Sequence, residues 1–449
     1  MIAIRALDSE SQDEPLHPAA FGVLLYLMVS VGRLPELLPV LAPLHLGKLA
    51  LVFGLLGLLI GWSRSRVPVF STLPGRLLLA LSGLAVLSVV FSIWTMHSLA
   101  FVMSQLLAGV LLFLLLARTT SGPRMLVFHA RGLVISGLLL ALMMIRAGGA
   151  ERVTILSSYD PNDLAMVLVF ILPLAVVGFF AARGFRRYAF GVVTAAMLVA
   201  ILLTSSRGGF LALLAVGVYL LLARLPRADG GFTSRISPGK AFIALLAAAL
   251  LVVATPQTAW DRIATVFSPG DDYNLTDETG RIAIWKRGLA AMAERPWGYG
   301  VKAFEAVEGE RGGRHQAAHN SFIQVGVELG VPGLLLYLAL LRVCWTRLGA
   351  LRVRGLAADS PDPVTRLLFM LATALRGSLI GFVVAGFFLS AAYSAILFVL
   401  IALTVAAENV AGLVTAQAVD SPAAPAGRTL TPAGEAVGDR RRADTGFGY

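Results

Sequence analysis

Leu164-Ala-Met-Val-Leu-Val-Phe-Ile-Leu-Pro-Leu-Ala-Val-Val-Gly-Phe-Phe-Ala-Ala182 runs for nineteen residues without a charge. Asp160-Pro161-Asn162-Asp163 stands before it, and Arg183-Gly184-Phe185-Arg186-Arg187 follows. A helix rises about 1.5 Å per residue, so a run of this length crosses the roughly 30 Å hydrocarbon core of a bilayer. The apolar residues are continuous and do not alternate over ten-residue segments, which argues against the strands of a membrane barrel. Backbone polar groups must be satisfied internally in lipid, so the run reads as a helix.

The rest of the chain repeats the pattern. Of its 449 residues, 57% are hydrophobic and 14% charged, and the mean hydropathy is +0.80. A soluble domain cannot hide that much apolar surface. Apolar runs fall near 19–42, 44–62, 75–96, 98–118, 125–146, 162–182, 187–205, 208–224, 239–256, 320–346, 367–389 and 391–411. The expected fold is all-α: a polytopic integral membrane protein of about twelve transmembrane helices, with one large loop that holds short helices. Pro35, Pro39 and Pro43, with Arg33 and Glu36, predict a broken or tilted first span.

Arg183, Arg186 and Arg187 belong to one set of alternate loops that gathers most of the basic residues. Arg64 and Arg66, Arg118 and Arg124, Arg224 to Lys240, and Arg347 to Arg366 fall in the same set. These loops are expected in the cytoplasm, and an even number of spans puts both termini there. The same rule accounts for the net charge of +11 without nucleic-acid binding, since no soluble basic domain is present. The large loop then faces the other side, the periplasm of a bacterial inner membrane. The expected division is a segment 1–18, spans over 19–256, the loop 257–319, spans over 320–411, and a disordered tail 412–449. The first eighteen residues lack a basic n-region, so no cleavable signal peptide is expected. The single cysteine, Cys344, excludes a disulfide within the chain.

Four polar groups converge on the loop side. Thr204-Ser205-Ser206-Arg207-Gly208-Gly209 forms a turn between two spans. Its glycines permit unusual backbone angles or close approach. A guanidinium suits a phosphate, and a snorkelling arginine accounts for Arg207 equally well. Thr279-Gly280-Arg281 opens an amphipathic helix in the loop, with Ile282, Trp285, Leu289 and Met292 on one face and Asp277 or Thr279 as cap. An interfacial helix on lipid explains its charges too, but explains Arg281 less well, because a cation in the first turn opposes the helix dipole. His315 and His319 precede Asn320-Ser321, and a neutral imidazole can take a proton from a hydroxyl. Four residues apart, the two histidines would share a metal only in a helix and with further ligands that the neighbourhood lacks. Asp160-Pro161-Asn162-Asp163 opens the sixth span, with Asn162 or Asp163 as the natural cap. Arg131, Arg376 and Glu328 lie inside spans, where pairing is the default expectation. Pro332-Gly333 after Glu328 predicts a kink.

Ser205-Ser206-Arg207-Gly208-Gly209, Thr279-Gly280-Arg281 with Trp285, Pro296-Trp297-Gly298-Tyr299-Gly300, and His319-Asn320-Ser321-Phe322 with Glu328-Leu329-Gly330-Val331-Pro332-Gly333 occur in this order. The ordered set resembles the O-antigen ligase/polymerase superfamily. The resemblance implies a periplasmic glycosyltransferase that uses a glycan on undecaprenyl diphosphate, with 257–319 as the catalytic loop. The implied acceptor is lipid A–core, a second lipid-linked glycan or a protein hydroxyl, and neither a metal nor any other cofactor is implied. It places diphosphate-binding arginines at Arg207 and Arg281 and the essential histidine at His319. Asn320, Glu328, Asp163, Arg287 and Arg314 are candidate supporting residues. Ligase is the expected activity, a polymerase of the same superfamily the alternative, and a transporter of lipid-linked glycans the rival from another class.

Overall fold

The structure, a computed structural model, describes residues 16–61, 69–147, 159–254, 257, 260–261, 280–312, 314–357 and 362–420. Most of the segment 1–18, the proposed caps Asp277 and Thr279, and the tail beyond Asp420 lie outside these residues.

Every apolar run read from the sequence carries a helix. In chain order these are α1 Ala20–Ser30, α2 Leu46–Ile60, α3 Leu73–Ser88, α4 Thr95–Thr119, α5 Pro123–Arg146, α6 Pro161–Ala181, α7 Phe185–Leu203, α8 Arg207–Leu222 and α9 Pro238–Ala254. The large loop adds α10 Arg281–Glu294 and α11 Phe304–Gly312. Then come α12 Ser321–Ala357, α13 Pro363–Gly386 and α14 Ala395–Asp420. Among the described residues, eight helices are long and apolar enough to cross a membrane. Four shorter apolar helices, α1, α2, α8 and α9, fall at the other expected spans. The chain is a multi-pass membrane protein.

The two ends of the chain depart from single regular spans. The first run, 19–42, is broken, as its prolines and charges predict: α1 stops at Ser30, Arg33 turns left-handed at φ 52°, and short turns occupy Leu34–Leu37 and Pro39–Leu44. The prolines explain the break, since each removes a helical N–H. At the other end, α14 continues to Asp420, past the boundary expected at 411, because nothing in Ala411 to Asp420 breaks a helix.

The quoted run forms the centre. α6 packs against α5, α7, α8 and α13 and is buried almost continuously from Leu164 to Ala175. Its cap is Asp160, not Asn162 or Asp163: the Asp160 carboxylate accepts the N–H groups of Asn162 and Asp163 at 2.7 and 2.8 Å. Proline at the first helical position puts the cap one residue earlier.

The helix connections sort to two ends. At one end Lys240 donates to the carbonyls of Leu221, Ala223 and Arg235, Arg366 reaches the carbonyl of Arg227, and Arg347 pairs with Glu408 at 3.3 Å. Lys240 thereby satisfies carbonyls at the C-terminal end of α8, as cations near C-termini do. At the opposite end lie the turn before α8, α10, α11, the start of α12 and the loop between α13 and α14. All four polar groups singled out in the sequence stand there. Of the buried-charge candidates, Arg376 stacks over Trp345 at 3.6 Å, and Arg131 lies on an exposed face.

Candidate functional site

The site end is built around the start of α12. Asn320 caps that helix, its side-chain oxygen accepting the N–H groups of Phe322 and Ile323 at 2.9 and 3.0 Å. Ser321 pins it to the loop between α13 and α14: its hydroxyl donates to the Leu389 carbonyl at 2.7 Å and accepts the Ala391 N–H at 2.9 Å. His319, just before the cap, has φ 46°. A left-handed backbone costs a residue with a side chain about 1–3 kcal/mol and persists only where its surroundings hold it. The His319 N–H donates to Ser390 Oγ at 2.9 Å. On its other side the Ala318 carbonyl accepts the indole N–H of Trp285 at 3.0 Å.

The His319 imidazole titrates below its ordinary range. Burial is the first cause, and the Arg281 charge is the second; Asp160 opposes them. The ring is therefore neutral at pH 7 and can accept a proton. Segment 314–320 is not helical, so the helical spacing that a metal shared by His315 and His319 would need does not arise. His315 instead lies against the Glu305 carbonyl at 3.0 Å and beside Trp94, whose other ring partner is His97.

Arg281 opens α10, as the sequence predicted, with Gly280 as N-cap. The buried face of α10 differs from the expected one. Ile284, Gly288 and Ala291 are buried, flanked by Trp285 and Met292, whereas Ile282 and Leu289 are exposed. The reason is the close fit on α12: a Cβ on Gly288 would lie 2.7 Å from Ile323, and one on Gly326 2.5 Å from Met292. The packed face is the one that Gly288 opens to close approach; Trp285 and Met292 flank it, and Ile282 and Leu289 lie outside it. Arg287 is committed to α11, reaching the buried Glu308 carboxylate with Nε at 3.0 Å and Nη2 at 2.5 Å. Arg311 returns the link by pairing with Glu294. Arg314 is exposed.

Arg207 is the first residue of α8, with Ser206 as cap accepting the Gly209 N–H at 3.1 Å. The unusual backbone angle falls on Ser205, at φ 51°, and not on the glycines. Gly208 and Gly209 serve close approach instead. A Cβ on Gly209 would lie 2.5 Å from that of Ala165 in α6, and one on Gly208 3.0 Å from Phe388. Asp163 stands in the first turn of the same α6.

The loop 387–394 joins these parts. Phe388 packs on Gly208 beside Arg207, and Phe387 meets the Trp285 ring edge-on at 5.3 Å, one helical turn from Arg281. Ser390 holds His319. The apolar runs 367–389 and 391–411 cover this loop except for Ser390. Its only signal was the pair Ser390 and Ser394 amid apolar residues.

Pro296-Trp297-Gly298-Tyr299-Gly300 docks on a break in α12. Gly330 has φ 69° and ψ −171°, so the helix is interrupted there, two residues before the proline that predicted a kink. The break frees the carbonyls of Val327 and Glu328, which accept the N–H groups of Tyr299 and Gly300, both at 2.9 Å. The Val331 N–H answers to the Pro296 carbonyl at 2.7 Å. Gly298 lies against Gly330 backbone to backbone, at φ 92°, where a Cβ would lie 2.5 Å from the Glu328 oxygen. The far side of the segment is tied to the turn after α3: Val301 N–H donates to Ser88 Oγ at 3.0 Å, and Ile93 N–H to the Tyr299 carbonyl at 3.1 Å. Glu328 itself is buried, with Gln324 Nε2 3.4 Å away.

No curated protein matches the chain. Residues 192–338, which carry Arg207, Arg281, His319 and the break in α12, match the family model described as O-antigen ligase, so this segment of the chain is similar to that family.

Proposed function

We propose that this protein transfers a glycan from undecaprenyl diphosphate to an acceptor hydroxyl, such as one on lipid A–core, at the periplasmic face of a bacterial inner membrane. The observation that carries this reading is the setting of His319: a half-buried imidazole in a left-handed turn just before the Asn320 cap, close enough to Arg281 for that charge to help lower its pKa. The gathering of basic residues at the opposite end supports a cytoplasmic placement for that end and a periplasmic one for the site.

In this reaction His319 takes the proton of the acceptor hydroxyl as its oxygen attacks C1 of the donor sugar. The bond from C1 to the diphosphate oxygen breaks, and its electron pair leaves with undecaprenyl diphosphate. Arg207 and Arg281 offset the charge that grows on that leaving group. General-base help of this kind contributes about two to four decades in rate. Attack opposite the diphosphate inverts the anomeric centre. Arg281 acts twice, since the charge that draws the diphosphate also keeps the imidazole unprotonated.

The test is transfer by purified protein in detergent, with a polyprenyl diphosphate-linked glycan and either lipid A–core or a second lipid-linked glycan. Transfer to lipid A–core, lost in His319→Asn, supports the ligase. Elongation of the lipid-linked glycan alone selects the polymerase. Glycan movement across liposomes with no transfer to either acceptor overturns the enzymatic reading.

A further inference from the structure

We propose that Ser390 is a positioning residue for His319, and that the loop 387–394 is the element that sets the direction of the imidazole. The proposal rests on the reading of His319 as the base. It starts from the left-handed backbone at φ 46°. Histidine visits that region more readily than most residues, but not unaided. Neighbouring Ala318 is fixed by Trp285, and Asn320 by its cap bonds to α12. His319 sits between these two anchors, and its own N–H has a single described partner, Ser390 Oγ at 2.9 Å.

Ser390 is well placed to transmit position. The residues on either side of it, Leu389 and Ala391, are both bonded to the Ser321 hydroxyl, at 2.7 and 2.9 Å. The loop therefore grips residues 319 to 321 through three hydrogen bonds that reach both sides of the cap. A return of His319 to an ordinary backbone angle would swing its side chain while leaving α12 in place. The loss of one hydroxyl would thus misdirect the base without unfolding the helix. Ser390 is exposed, so its truncation opens no cavity.

The experiment measures kcat and donor KM for Ser390→Ala, Ser390→Thr and His319→Asn in the full-length protein. Asparagine tolerates the left-handed backbone, so His319→Asn removes the base and not the turn. Expected is a kcat for Ser390→Ala about ten- to a hundredfold below wild type, the range that small misplacements of catalytic groups produce. Donor KM stays unchanged, and Ser390→Thr recovers most of the rate because it restores the hydroxyl. A role in overall stability would lower the yield of folded protein and not kcat per folded molecule. Ser390→Ala turning over within twofold of wild type, beside an inactive His319→Asn, overturns this proposal and leaves the base reading standing. Near-normal turnover by His319→Asn overturns both.

Discussion

Gly298→Ala tests how the loop after α10 is held on the broken helix. The new methyl would meet the Glu328 carbonyl oxygen at 2.5 Å and the Gly330 nitrogen at 2.6 Å. Both are backbone atoms, so neither can turn aside as a side chain would. The φ of 92° adds about 1–3 kcal/mol for a residue with a Cβ. Relief requires the two segments to part. Parting breaks the bonds from Tyr299 to Val327 and from Gly300 to Glu328 and leaves buried carbonyls unsatisfied. Each such group costs about 1–3 kcal/mol. The loss is on the order of 3–9 kcal/mol, concentrated at residues 295–302. Two assays read it: the midpoint of thermal loss of the monodisperse peak in detergent, and trypsin cleavage after Lys302. Gly217→Ala in α8, where a Cβ meets nothing within 4 Å, is the matched control and is expected to be neutral or slightly stabilising. A Gly298→Ala protein that melts with wild type and is cut no faster refutes the backbone-docking account.

The acid limb of the pH–rate profile is expected below pH 6.5, because the neutral imidazole is the active form and burial and Arg281 hold its pKa down. Activity is retained as pH falls toward that limb and is lost as His319 protonates. Arg281→Gln removes one of the two lowering causes and should move the limb to higher pH; a limb that stays put counts against the Arg281–His319 coupling. Lysine at Arg207 or Arg281 should recover only part of the donor use lost on alanine substitution, since the bidentate fork is gone, and donor titration of the four variants checks this. Arg287→Met strands the Glu308 carboxylate, which is 2% exposed, and should destabilise the loop by about 1–3 kcal/mol. Adding Glu308→Leu should restore part of that loss, measured by detergent melting.

Hydropathy made the helices legible because the solvent of a span is lipid and the requirement on its backbone is absolute. Which apolar residues face protein was not legible. The spacing puts Ile282 and Leu289 on one apolar face of α10 with Trp285 and Met292, yet the glycine at 288 decides the contact with α12, since close approach outweighs side-chain size. The cap of α6 lies two or three residues before the one read from the sequence, for a local reason: Pro161 already satisfies the first helical position, so the cap belongs to Asp160. Pro332 marked a kink, but the break fell at Gly330, because only there could another backbone replace the lost helical bonds. The loop 387–394 stayed hidden because Phe387, Phe388 and Leu389 read as more of the same span. Residues distant in sequence give Ser390 its meaning, and no spacing rule connects 390 to 319.

The interruption of α12 also constrains how the molecule matures. Residues 295–301 leave the ribosome before residues 327–331, whose carbonyls they must meet. Until the later helix is inserted, those loop amides have only water as partner, and until the loop arrives, the helix carries two naked carbonyls beside lipid. Each half is thus the other's chaperone, and the polar end is completed later still, when the loop between α13 and α14 reaches His319 and Ser321.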